Sequence, residues 1–182
     1  MSSARGRARR DAARRKYKPD PIRCLVVAEA PPSEDRYFYF EDVRDKDKLF
    51  VHTMKVLFSR QLEGYIGGRS PAKKAQLLQM FQRRGFWLID SLEDPIPAED
   101  TATARYLSQR SNLPERLKRL KEAGDIGTTT PLILVKATVY DAFFSSLAAA
   151  RYRVIDERIF FPSTSREPEF ERGFARALEA LP

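Results

Sequence analysis

Three short apolar runs limit this chain more than any other feature. They are "IRCLVVA" at residues 22–28, "FWLID" at 86–90 and "TTTPLILVKA" at 128–137. None alternates between apolar and polar residues, as a strand with one wet face would. Continuous runs of this length, rich in β-branched residues, read as strands buried on both faces, which is the signature of a parallel sheet covered by helices. A fourth run, "VIDERIFF" at 154–161, reads as one further strand or a short pair.

The segments between them carry helical spacing. Phe50, Met54, Leu57, Phe58 and Leu62 predict a helix over 47–62. In "SPAKKAQLLQMFQRRG", Ser70 reads as the N-cap, Pro71 as first-turn residue and Gly85 as the stop. Helices are also expected over 99–110 and 113–123, the second with Asn112 and Glu115 in capping-box spacing. "TVYDAFFSSLAAA" forms another, and Phe170, Phe174, Leu178 and Leu181 mark one face of the last. The predicted order is β-α-α-β-α-α-β-α-β-α, an α/β chain of 182 residues and one core.

Charge divides the chain in two. Residues 1–18 hold eight Arg or Lys and one acid, Asp11, and so account for most of the net charge of +8. With few large apolar residues, residues 1–20 are expected to be a basic, flexible arm ahead of a single domain over 21–182. Its residues Arg5, Arg7, Arg9, Arg10, Arg14, Arg15 and Lys16 suit nucleic-acid phosphates, and equally a solubilising extension. The arginine-rich start, with no apolar stretch behind it, argues against a secretory leader. No apolar run is long enough to cross a bilayer. The expectation is a cytoplasmic or nucleoid-associated monomer.

Cys24 and His52 are the only residues of their kinds, so a His/Cys zinc site, an iron–sulfur cluster or an intrachain disulfide is not expected, and no cofactor is called for. Cys24 reads as a small core residue and His52 as a surface or packed histidine.

In sheets of this kind ligands sit outside the carboxyl ends of the strands. That directs attention to "AEAPPSED", "DSLEDPI", "KATVYD" and "FPSTSRE", each directly after an apolar run. Glu29 and Asp90 are the carboxylates at two of these ends. They fit water activation and a coupled pair with one raised pKa, or simply helix capping, pairing with an arginine and loop hydrogen bonds. Lys136 lies next to the end of the third strand and suits charge neutralisation; an amine nucleophile is the alternative. Within "RYFYFED", Tyr37, Phe38 or Tyr39 suits a stacking platform, while core packing accounts for at least half of the aromatics. Ser163, Thr164 and Arg166 form an anion-friendly corner or an ordinary N-cap. Arg151, Arg153 and Arg158 suit a phosphate-facing edge or plain solvation.

These residues resemble the uracil-DNA glycosylase superfamily, especially the branch whose first motif is Gly-Glu-Ala-Pro-Gly. That motif is matched by Ala28-Glu29-Ala30-Pro31-Pro32, followed by Glu34-Asp35, and the family's final His-Pro-Ser by Phe161-Pro162-Ser163. The resemblance covers roughly residues 22–181. It implies a three-layer α/β/α fold with a short, mainly parallel four-stranded sheet, and a DNA base, single-stranded or flipped, held in a pocket at the strand ends. It implies catalytic roles for Glu29 and Asp90, base contacts from Tyr37, Phe38, Phe161, Ser163 and Thr164, and convergence of Glu29, Asp90 and Ser163 on one aromatic-lined pocket.

The departures are specific. Phe161 stands where the family carries its histidine donor, and Asp90 where it carries an asparagine. An ionised carboxylate only accepts hydrogen bonds, so Asp90 favours a base edge rich in N–H groups over a uracil carbonyl. The expected function is excision of a base other than uracil. The alternatives are a catalytically silent nucleic-acid- or nucleotide-binding module of the same fold, and a doubly wound domain for a small phosphate-bearing ligand or a protein partner. The last is disfavoured because no glycine-rich phosphate loop is present.

Overall fold

The computed structural model describes residues 4–32, 36–43, 47–97, 100 and 103–182. The motif neighbours Glu34 and Asp35 lie outside these residues. Four strands form one sheet: β1 (Cys24–Ala28), β2 (Phe86–Asp90), β3 (Pro131–Leu134) and β4 (Arg153–Val154), in the order β2-β1-β3-β4 with every pair parallel. Among the described residues seven helices accompany it: α1 (Ala4–Lys16), α2 (Lys48–Ile66), α3 (Pro71–Arg83), α4 (Ala104–Arg110), α5 (Leu113–Glu122), α6 (Ala137–Ala149) and α7 (Glu167–Glu179). The chain is α/β, and the arrangement is consistent with three layers.

The burial of β1, β2 and β3 explains their composition. Every residue of the three is buried. Parallel pairing leaves no wet face, so no position accepts a polar residue until the strand ends. β4 is shorter than "VIDERIFF" suggests. After Val154 only an isolated bridge, Val135 to Ile159, continues the pairing. The intervening charges are used elsewhere: the Asp156 carboxylate accepts from the Tyr140 hydroxyl, Glu157 pairs with Arg176 and Arg158 with Asp141.

Register positions the site. Ala28 lies opposite Asp90, and Val27 opposite Leu134. The chain therefore leaves the sheet at Glu29, Ser91 and Lys136 along one edge. The Ser91 N–H donates to the Ala28 carbonyl at 2.7 Å and the Ser91 hydroxyl to the Glu29 carbonyl at 2.6 Å. Those bonds lash the first two strand-end loops together.

Side-chain caps place two of the helix starts, those of α3 and α4. Ser70 caps α3 by accepting from the Lys73 N–H at 3.2 Å. Asn112 makes no such bond; its amide donates to Glu93 at 3.1 Å instead, so the capping box expected there is replaced by a contact across the fold. α2 continues past Leu62 to Ile66 and breaks regular geometry at Phe58. The expected helix at 99–110 begins, among described residues, at Ala104 after a Thr103 cap. His52 is packed, with its Nδ1 2.7 Å from Glu171 of α7. Cys24 is a core residue whose thiol burial pushes up to about 12.

Over residues 4–16 the expected arm is a helix, α1, whose side chains engage the domain. Ala and Arg have high helix propensity, so the sequence does not resist helix formation. Its anchoring comes from acids whose placement only the folded chain reveals. Arg7 pairs with Glu93 and Asp94, Arg9 with Asp42 and Lys16 with Glu41. Arg10 is buried and donates to the Glu93 carbonyl at 3.2 Å. Exposed ion pairs contribute at most about 1 kcal/mol each. The firmer anchor is Tyr17, 1% exposed, stacked on Tyr39 at 6.0 Å and hydrogen-bonded to Glu41.

Gly85 holds the turn from α3 into β2 at φ +81°, and a Cβ there would lie 2.5 Å from Arg23 Cγ. A Gly85→Ala variant is expected to lose about 2 kcal/mol, from left-handed backbone strain and displacement of Arg23. Urea denaturation measures this, and an unchanged midpoint would show that the turn relaxes.

Candidate active-site pocket

A cavity of about 450 Å³ opens at the carboxyl edge of the sheet. Its polar wall includes Glu29, Asp47, Lys48, Asp90 and Lys136, and its apolar wall Tyr37, Phe38, Leu88, Val135 and Phe161. The volume suits a small aromatic ligand. Two carboxylates from different strand ends, Glu29 and Asp90, thus share one pocket with the aromatics expected beside them.

Glu29 follows β1 directly and its carboxylate is held from two sides. Lys136 Nζ pairs with Oε2, and the Thr138 hydroxyl donates to Oε1 at 2.7 Å. Lys136 sits between β3 and α6 with φ +87° and ψ 129°, a region that non-glycine residues rarely occupy. Such geometry costs about 1–3 kcal/mol and persists only where surrounding structure enforces it. Here the Val135 N–H on the Val27 carbonyl fixes one side, and the Val139 and Tyr140 N–H groups on the Lys136 carbonyl fix the other.

Asp90 closes β2 at 6% exposure. Burial pushes its carboxyl up to about 6, against the opposing pull of Arg14, Arg116, Arg10 and the Tyr37 hydroxyl. The Arg116 guanidinium is tied to the Asp90 main-chain carbonyl at 2.6 Å.

Tyr37 and Phe38 are core residues that also line the cavity. Phe38 packs on Phe50 and Phe81, each at 5.5 Å, and Tyr37 packs edge-on to Phe40 at 5.3 Å, while both also line the cavity. Phe161 lines it as well and stays 40% exposed.

The remaining expected residues fall elsewhere. Ser163 is outside the lining, so it does not converge with Glu29 and Asp90. Thr164 reaches the pocket only through Lys48, whose ammonium donates to its hydroxyl at 2.8 Å. Arg166 lies over the Phe160 ring, 4.4 Å from its centroid. The Arg7, Arg9, Arg10 and Lys16 side chains engage the acids and carbonyl described above, and Arg14 pairs with Asp11; Arg5 and Arg15 are exposed. Arg158 is taken up by Asp141.

Sequence reasoning missed Asp47 and its partner. Asp47 lines the cavity, is 5% exposed and forms an ion pair with Lys74, which is fully buried. Burial pushes the Asp47 carboxyl up to about 6 and the Lys74 ammonium down, more than their attraction restores. A signal existed. Lys74 occupies the same helical stripe as Leu77, Leu78 and Phe81, and a lysine in an apolar stripe calls for an internal acid.

No protein-family model matches this chain. No curated protein and no solved structure matches it either. The pocket therefore carries the functional argument alone. Among the described residues, no group of three or more His, Cys, Asp or Glu is placed to hold a metal ion, and no helix is long and apolar enough to cross a membrane.

Chemically, the pocket offers acceptors at Asp90 and Asp47, an oriented carboxylate at Glu29, an ammonium at Lys136 and aromatic walls. That set suits a flat ligand with an N–H-bearing edge.

Proposed function

We propose that the protein binds a nucleobase in this pocket and hydrolyses its N-glycosidic bond, acting on a flipped or single-stranded base in DNA by uracil-DNA glycosylase-like chemistry. The observation that carries the reading is the meeting of Glu29 and Asp90, from the ends of two adjacent strands, with Tyr37 and Phe38 in one cavity of base size. Glu29 orients the attacking water and balances positive charge developing on the sugar. Asp90 accepts from the base edge, which selects an amino-bearing or protonated edge over a bare carbonyl.

A Glu29→Gln variant is expected to release base about 10²-fold more slowly or worse, while still binding the same oligonucleotide. The measurement is abasic-site formation on DNA carrying uracil, hypoxanthine, xanthine or a mismatch. If the wild-type chain releases no base from any of them, the hydrolytic reading is lost.

A second reading keeps the pocket without the reaction. It rests on the final motif loop, which brings Phe161 to the wall and leaves Ser163 outside, so that loop aims no donor at a departing base anion. A binding module of this kind would retain nucleotide binding in both the wild-type and Glu29→Gln chains, with no product from either.

A further inference from the structure

We propose that Lys136 is an amine nucleophile that forms an imine with an aldehyde-bearing sugar in the pocket, with Glu29 as the acceptor of its proton. This rests on the base-excision reading above, because hydrolysis of the glycosidic bond leaves a sugar whose open form carries an aldehyde at C1′.

Geometry selects Lys136 over Lys48, the other lysine of the pocket wall. The ammonium of Lys48 is held by Thr164 and Glu167, both at 2.8 Å, toward the loop before α7. Lys136 Nζ instead meets a carboxylate on the cavity wall itself, and both side chains line that cavity. The Glu29 side chain is 13% exposed and that of Lys136 31%, so the pair is partly removed from water and still reachable. The Thr138 hydroxyl occupies Oε1 and leaves Oε2 facing the amine, which identifies the oxygen that takes the proton.

The backbone is the second, independent observation. Lys136 occupies the N-cap position of α6, yet its side chain caps nothing. A glycine would hold φ +87° at lower cost, and a Ser or Asp would at least add a side-chain cap. Neither stands there. The strained turn carries a lysine whose amine is set against Glu29, as expected where strain is retained for a reactive group.

The step balances without any further reagent. Lys136 passes one proton to Glu29, and its freed lone pair attacks the C1′ carbonyl carbon to form a carbinolamine. Glu29 then returns the proton to the C1′ hydroxyl, which leaves as water. The nitrogen lone pair completes the C1′–N double bond. The sum is ammonium plus aldehyde giving protonated imine plus water, with Glu29 again a carboxylate.

The test uses the full chain and an oligonucleotide with one preformed abasic site, so that no base release is needed. Sodium borohydride reduces any imine to a secondary amine that survives a denaturing gel. The expected result is a borohydride-dependent protein–DNA adduct, mapped by peptide mass to Lys136. It should be lost in Lys136→Arg, which keeps the positive charge opposite Glu29 but has no amine to form the imine. An adduct mapped to a different lysine, or undiminished in Lys136→Arg, overturns the proposal. Base release by the wild-type chain with no trapped adduct overturns it too, while leaving the glycosidic reading intact. Absence of both release and adduct removes both. Because peptide mapping uses the wild-type chain, the outcome stands even if the variant folds poorly.

Discussion

Replacing Lys74 with alanine is expected to cost about 3–5 kcal/mol of folding stability, the largest single-residue effect foreseen here. Lys74 is fully buried, pairs with Asp47 and lies 4.4 Å from the centroid of the Phe50 ring. Alanine removes the ammonium, leaves the stem volume empty and takes the ion-pair partner from the buried Asp47 carboxylate. The first loss dominates, because the buried Asp47 charge keeps the Phe50 N–H but recovers neither its hydration nor its ion-pair partner. Lys74→Met, which keeps the stem, should cost less. Adding Asp47→Asn to it should recover most of the remainder, since removing both charges of a buried pair is often nearly neutral. Chemical denaturation of the three variants decides the matter. A Lys74→Ala chain within about 1 kcal/mol of wild type would mean that water reaches Asp47 and that the pair is not a closed one.

Asp90→Asn is expected to stabilise the protein at neutral pH, by up to about 3 kcal/mol, while changing what the pocket accepts. Folding raises the Asp90 carboxyl from 3.8 to about 6, with burial as the main cause. The folded chain therefore holds this proton more tightly than the unfolded chain. The contribution to stability is fully present below about pH 4 and is lost as pH rises through about 6. Asparagine carries no such proton. The variant's advantage should accordingly be small at about pH 4 and level off above about pH 7. Denaturant midpoints of both chains across that range measure it; a constant difference would show that Asp90 does not titrate within the fold. The same substitution supplies an amide that both donates and accepts. Base release or binding should shift toward bases with a carbonyl edge, and an unchanged preference would remove Asp90 from base reading.

Asp47 and Asp90 share a physical logic. Each is a carboxylate on the pocket wall whose burial opposes ionisation, so each lowers stability at neutral pH. Groups that weaken the fold at a cavity wall are what a site under functional demand retains. This supports the pocket as the working part of the molecule independently of which ligand it takes.

Legibility in the sequence followed the range of the interactions. "CLVVA", "FWLID" and "PLIL" announce their own burial, because a strand covered on both faces has no position for a polar residue. Once those strands are parallel neighbours, the positions of Glu29, Asp90 and Lys136 at their ends follow. Tyr37 and Phe38 were visible as aromatics, but their division between packing and pocket wall depends on Phe50 and Phe81 arriving from α2 and α3. The docking of α1 was hidden for a comparable reason. Its arginines look like a solvated arm until Glu41, Asp42, Glu93 and Asp94 are brought alongside by loops remote in sequence.

Local pattern thus determined the parallel α/β class, the course of the central strands and which carboxylates stand at their ends, since period, turn chemistry and burial act over a few residues. The tertiary structure alone decided that Ser163 stays off the pocket wall, that Asp47 joins it through Lys74, and that Lys136 faces Glu29. Those outcomes depend on distances between side chains 27 to 107 residues apart. Such pairs form only when the sheet register and the helix docking are set together.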